Sequence, residues 1–433
     1  MPYVILPTPM IGNGWSHKPI YVLAHEELRF NLKVSTFGFI TTNLMHDPLQ
    51  IREQFYLDPS ITFLNFGSFG ACPKPVMNRF HELHLEMEQE PVQFMTKKSI
   101  GYFAQARKVL SGYVGCSMDD IVPVTNPSWA VNAVARSLNL QPGDEIRTTS
   151  IEYGACDKAW QYYCRLTGAH YVQIEPQWPV TDSAQFVADF FTNISPRTKL
   201  IFMSHITSST AIRLPVEQII REAQRRGIPT FIDGAHAPGQ IDLNLDEMGV
   251  DYYTGACHKW MMTPKGCSFL YAHPRVQKQI DPLIISWGYD AAFPSHSQFL
   301  DYHQVQGTRD LAPFFCLDAS LQFMEENNWK EVASQCRSLV LESAPKFIEL
   351  LGVQSHVAIH PDFLAQMFSI PVCAPKAEEL QQELFDRYQI EIPVMRLGDK
   401  QFIRFSINGF NSNHDLDTLY QALRELKQKA EFL

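Results

Sequence analysis

The chain has 433 residues, 45% hydrophobic and 19% charged, a globular composition that excludes wholesale disorder. Thirty-six Lys and Arg stand against 46 Asp and Glu, a formal net charge of −10, and no basic cluster suggests nucleic acid or an anionic membrane surface as a partner. No stretch reaches the roughly 18 uninterrupted apolar residues of a membrane span, and the nine cysteines, odd in number and without a CxxC pair, predict neither a zinc site nor a disulfide framework and fit a reducing, cytoplasmic setting.

Residues 1–44 carry Pro and Gly early, then the mixed run Ser35-Thr36-Phe37-Gly38-Phe39-Ile40. With no basic segment followed by an apolar core and a cleavage site, this is read as a poorly ordered extension and not a signal peptide. Met45 is an alternative start that intact mass would reveal. A length of this order predicts two domains, here a large one over 45–312 and a smaller one over 313–433.

From residue 121 the pattern alternates short apolar runs with helical periodicity, the mark of a mostly parallel sheet covered by helices. Strands are predicted at 121–124, 145–149, 171–174, 199–204, 230–232 and 268–271, with Val250-Asp251-Tyr252-Tyr253 a further apolar run. Helices are predicted after Asn126-Pro127-Ser128, over 155–166, from a cap at Asp182 and from Pro215. Beyond 312 the spacing predicts a long helical stretch over 314–351. Extended runs near 366–371, 391–395 and 402–407 follow, with amphipathic helices near 376–387 and 414–430, an α+β pattern.

Two residues carry the chemistry. Lys259 lies in Gly255-Ala256-Cys257-His258-Lys259-Trp260, 26 residues after Asp233 in Phe231-Ile232-Asp233-Gly234-Ala235-His236. Alone, a lysine is usually a solvated surface charge and an Asp before Gly a turn residue. Each following an apolar strand, they match the needs of pyridoxal 5'-phosphate (PLP), a lysine amine for the aldehyde and a carboxylate that keeps the pyridinium nitrogen protonated. Ser128, Tyr153, His205, Asp233, His236 and Lys259 all follow predicted strands, where an open α/β sheet binds its ligands.

Around this pair, His236 is a candidate donor to the cofactor's phenolic oxygen, and Tyr153 a candidate ring-stacking partner. Ser128 and Trp129 open a helix whose N-terminus suits a phosphate, although Ser is also a common plain cap. His258 and Ser208 are candidates to complete that phosphate shell, with Thr308 in the turn Gly307-Thr308-Arg309-Asp310. Arg404, in the apolar run Phe402-Ile403-Arg404-Phe405-Ser406, is either a clamp for a substrate carboxylate or half of a structural salt bridge.

Together with Leu64-Asn65-Phe66-Gly67-Ser68-Phe69-Gly70, Glu152-Tyr153-Gly154-Ala155-Cys156-Asp157 and Ser204-His205-Ile206-Thr207-Ser208, these motifs resemble the class V aminotransferases among the fold type I PLP enzymes, and within them the isopenicillin N epimerase-like branch. The resemblance covers roughly 45–433. It implies an α/β PLP-transferase fold with a seven-stranded type of sheet, a homodimer, Lys259 as the cofactor-bearing lysine, Arg404 with Ser68 at the substrate, and Thr308 reaching the neighbouring subunit's phosphate. Pro127, Trp129 and Ile151 depart from the family pattern, and residues 1–44 have no counterpart in it.

Three outcomes are open once the α-carbon is activated: epimerisation, transamination, or loss of a β-substituent. A desulfurase needs a nucleophilic cysteine before Arg404. Cys373, in Ser369-Ile370-Pro371-Val372-Cys373, reads as buried and therefore inert, which disfavours that branch. A lyase without such a cysteine stays open, and a catalytically silent binding protein is the third alternative.

Overall fold

The computed structural model describes residues 47–429; the predicted 1–44 extension and the Met45 start lie outside the described residues. Seven strands form the central sheet: β1 (Ile121–Val124), β2 (Glu145–Thr149), β3 (His170–Ile174), β4 (Thr198–Ser204), β5 (Thr230–Asp233), β6 (Tyr252–Ala256) and β7 (Ser268–Ala272). Their order is β1-β7-β6-β5-β4-β2-β3. All neighbours are parallel except β7, which runs antiparallel to both β1 and β6. The predicted mostly parallel α/β sheet is therefore the fold.

Strand alternation explains why these runs read as continuously apolar. Ile232 and Tyr253 join one buried cluster while their neighbours Phe231 and Tyr252 join another, so successive side chains fill cores on opposite faces of the sheet. The chain after residue 366 adds a smaller antiparallel sheet of β8 (Met367–Val372), β9 (Val394–Leu397) and β10 (Lys400–Ser406), in the order β9-β10-β8.

The predicted long helical stretch over 314–351 is divided. It consists of helices Ala312–Phe315, Leu317–Glu326 and Trp329–Leu351, broken at Asn328, which holds φ of 47°. Asn enters this left-handed region more readily than most residues. Its side chain looks like any polar helix position in the sequence, which is why periodicity alone did not reveal the break.

The connection from β2 to β3 runs to one side of the sheet, and that from β4 to β5 to the other. The resulting switch point lies between β2 and β4, and crevices at such points collect ligands at the carboxyl ends of strands.

Candidate active site

The carboxyl ends of β2, β4, β5 and β6 place Tyr153, Ser208, Asp233 and Lys259 around that switch point. Asp233 is the last residue of β5, paired to Ser204 of β4 and Thr254 of β6. It is buried, its Oδ1 accepts the Ala235 backbone N–H at 2.9 Å, and its Oδ2 accepts the Cys156 thiol at 3.5 Å. Burial raises its pKa, opposed by the Ala235 bond, the Lys259 charge and the Cys156 thiol. Among the described residues no cation stands within ion-pair distance of this carboxylate, a costly arrangement unless a ligand supplies the positive charge.

Lys259 follows β6 by three residues, and its Nζ lies 3.2 Å from His236 Nε2. The indole Nε1–H of Trp260 can only donate, and it does so to His236 Nδ1 at 3.3 Å. A neutral His236 therefore carries its proton on Nε2, the nitrogen facing Lys259. Burial, reinforced by the Lys259 charge, drives the His236 pKa well down, so the ring is neutral. Burial and then the Arg404 charge pull the Lys259 amine down to about 8, with Asp233 acting in the opposite direction. The contact with His236 Nε2–H is one that only the neutral amine can accept, and that form becomes the major one above about pH 8.

A close backbone approach shapes this corner. Gly70 has φ of 65°, and a Cβ there would lie 2.4 Å from the His258 carbonyl oxygen and 2.9 Å from Lys259 Cα. Only glycine adopts this conformation and allows the contact.

Arg404 sits on β10 opposite Ser369 of β8. It is fully buried; Nη1 donates to the Ser208 carbonyl at 2.8 Å and to Ser208 Oγ at 3.3 Å, and Nη2 donates to Ser68 Oγ at 3.0 Å. Its Nε has no partner, and no carboxylate among the described residues pairs with it. The salt-bridge alternative thus finds no counter-ion. Burial lowers the guanidinium pKa to about 10, which still leaves it charged near neutrality.

The remaining predicted residues are placed less centrally. Tyr153 caps the helix Gly154–Thr167 and is 47% exposed; burial, then Cys156 and Asp233, raise its pKa. His258 Nδ1 donates to the Cys267 carbonyl at 2.9 Å, and burial lowers its pKa to about 4. Its Nε2 is then a lone pair, and a phosphate beside it would have to draw a second proton onto the ring. In the helix Pro127–Ser137 the Trp129 N–H is taken by Asn126 Oδ1 at 2.9 Å and Pro127 has none, leaving Ser128 as the first-turn donor. The Trp129 ring packs against the core beside β1. Thr308 is exposed in its turn and is not hydrogen-bonded to the Lys259 cluster.

Two expectations are corrected. His205 does not face the crevice: its ring is fully buried, with Nδ1 3.0 Å from the Tyr253 hydroxyl. Alternation along β4 turns it into the core. Cys373 is exposed, not buried. It follows the last residue of β8, where the strand runs out of its sheet partners.

Sequence reasoning missed Cys156, which touches Asp233, and the Trp260 contact that fixes the His236 proton. It also missed Glu152, whose Oε2 accepts the Ser204 backbone N–H at 2.8 Å and also the Ser204 hydroxyl. Burial raises the Glu152 pKa to about 8. Both residues lie in the motif Glu152-Tyr153-Gly154-Ala155-Cys156-Asp157, which carries the family resemblance without assigning either of them a contact.

Comparison with known proteins fits this geometry. A sequence model described as Aminotransferase class-V matches residues 70–419. The chain belongs to the class V aminotransferase family. An isopenicillin N epimerase of Amycolatopsis lactamdurans is 32% identical over 391 residues, spanning 87% of this chain and 98% of that protein. A probable chloroplastic L-cysteine desulfhydrase of Arabidopsis thaliana is 23% identical, over 87% of this chain and 85% of that one. Among solved structures, a lysine-to-alanine mutant of the enzyme C-DES, with glycine covalently linked to its PLP, superposes with a TM-score of 0.76 at 21% identity, covering 86% of this chain and 99% of that one.

PLP is the cofactor of this family, and the side chains suit it. A buried carboxylate without a cation and a buried lysine of depressed pKa are the two kinds of group that a pyridinium nitrogen and an aldehyde call for. Because the neutral amine is the reactive form, the rate at which PLP combines with the apoprotein is expected to rise with pH and level off above about 8. An ordinary lysine would keep the rate rising to about 10.4. Stopped-flow absorbance across this pH range checks it; a rise continuing past pH 10 contradicts the depressed amine.

Proposed function

We propose that this class V enzyme epimerises the α-carbon of an amino acid or amino-acid-derived substrate, working as a homodimer with a large domain over 45–312 and a small one over 313–433. The observation that carries the α-carbon reading is the buried Lys259 amine 3.2 Å from His236, its pKa lowered by burial and then by the Arg404 charge. When bound, PLP withdraws electrons from the substrate α-carbon and acidifies its proton.

The chain's residues do the rest. Arg404 fixes the substrate carboxylate, with Ser68 and Ser208 holding the guanidinium in plane. Lys259 moves the α-proton; the single N–H of His236, fixed on Nε2 by the Trp260 donor, holds the amine in the free enzyme and would pass to the cofactor's phenolic oxygen once PLP is bound. Asp233, its orientation set by Cys156 and Ala235, would keep the pyridinium nitrogen protonated. Tyr153 would stack on the ring; Ser128, Ser208 and the partner subunit's Thr308 would supply donors to the phosphate, His258 would join them on taking up a second proton, and Trp129 would border the site through the helix it opens. Identity of 32% to an epimerase over nearly its whole length favours proton return to the α-carbon as the outcome.

C–S cleavage is the second reading, a cysteine-independent lyase being favoured by the desulfhydrase relatives and a desulfurase by the exposure of Cys373. Cys373 stands four residues beyond Ser369, the cross-strand partner of Arg404, which places it roughly 13 Å along the strand from the clamp. It would have to move to reach the substrate.

An amino-acid panel in D2O separates the readings. Epimerisation incorporates α-deuterium and inverts chirality without releasing pyruvate or sulfide. Release of either from thiol amino acids, with retained chirality in the remaining substrate, would sink the epimerase proposal in favour of the lyase.

A further inference from the structure

Apart from the Lys259 cluster, the molecule has a cleft of about 890 Å³ between the segment Gly239–Asp242, which follows His236, and the helices Leu317–Glu326 and Trp329–Leu351. Two arginines, Arg213 and Arg337, line it together with Tyr113, Leu321, Met324 and Trp329. Both guanidinium groups are half-buried. The Nε of Arg337 and the indole Nε1 of Trp329 are buried without a hydrogen-bond partner.

Neither arginine has a good counter-ion. Arg213 approaches Glu217 only at 3.9 Å, and among the described residues no carboxylate comes within ion-pair distance of Arg337. Asp242, Glu325 and Glu331 share the cleft, but Asp242 is paired with Lys330 at 2.7 Å and Glu331 accepts Gln335 at 3.0 Å. Burial lowers the Arg337 pKa and the charge of Arg213 lowers it further, with Asp242 opposing them. Two like charges held near each other, partly desolvated, one weakly paired and the other without an ion pair, cost free energy that an anion between them would recover. Guanidinium forks match the oxygens of carboxylate and phosphate.

We propose that this cleft binds a small oxyanion, the carboxylate or phosphate group of an organic molecule, with its charge between Arg213 and Arg337 and its apolar body against Leu321, Met324 and Trp329. The site is separate from the cofactor and substrate positions. It lies behind the loop that carries His236, since Gln240 lines it and donates from Nε2 to the His236 carbonyl at 2.6 Å.

Calorimetric titration of the PLP-saturated enzyme, whose cofactor phosphate site is filled, tests this with three probes: inorganic phosphate, phenyl phosphate and succinate, each against chloride at matched ionic strength. At least one is expected to bind saturably at millimolar concentration, phenyl phosphate more tightly than inorganic phosphate if the apolar wall takes part. Arg337→Gln is expected to weaken that binding roughly tenfold or more, and Arg213→Gln to do the same. Arg337→Lys, which keeps the charge, should lose less. Should Arg337→Gln fail to fold, Arg213→Gln and Arg337→Lys carry the test. No saturable binding of any probe, or binding unchanged in the folded glutamine variants, overturns the proposal.

Discussion

Lys259→Ala is expected to lose the visible absorption of the covalently held cofactor and to lower turnover by about 10²- to 10⁴-fold from the missing proton transfer alone. The fold should survive. Lys259 Nζ has one hydrogen-bond partner, His236, and its burial disfavours the charged amine, so its removal leaves His236 Nε2 as the single unsatisfied group. Spectra after dialysis against PLP, with initial rates on the amino-acid panel, measure both effects. An unchanged spectrum would revive the binding-protein alternative, because the lysine would then have no part in holding the cofactor.

The second large effect is expected at Arg404. Charge-assisted hydrogen bonds contribute about 1.5–3 kcal/mol each, so Arg404→Met should raise KM by roughly 10- to 100-fold per lost bond, with kcat changed less if the clamp binds substrate and transition state alike. Stability should not fall in proportion, since the mutation removes a buried charge that has no carboxylate partner. Arg404→Lys is not a conservative rescue, because a single ammonium cannot reproduce the planar fork. Steady-state kinetics and thermal melts of the same preparations decide between roles. An unchanged KM with a lowered melting temperature would make Arg404 a structural residue.

The third prediction, the pH dependence of cofactor uptake, tests the same cluster from the electrostatic side. It distinguishes a lysine depressed by burial and Arg404 from one merely close to them.

Much of this molecule was legible in one dimension because the signals are local. A parallel strand buried on both faces must be apolar throughout, so 199–204 and 230–232 announced themselves. Asn126, Asp182 and Pro215 mark helix starts through bonds or dihedral limits spanning only a few residues. The pairing of Asp233 with Lys259 was readable for a related reason: adjacent parallel strands β5 and β6 carry them to the same edge of the sheet, and strand length plus crossover length fix their separation.

The features that only the tertiary structure decided depend on contacts between distant segments. Cys156 reaches Asp233 across 77 positions, and Arg404 reaches Ser68 across 336; no periodicity encodes either. The protonated nitrogen of His236 is set by the indole of Trp260, a donor that stands next to Lys259 in sequence but whose direction depends on how the loop after β6 turns. Cys373 misled for a complementary reason: an apolar run predicts burial only while the strand stays covered, and β8 runs out of its sheet at that residue. The chain by itself determined which strand ends display the candidate residues, because period and capping are short-range physics. The counter-charges, tautomers and exposure that tune those residues were settled by long-range packing.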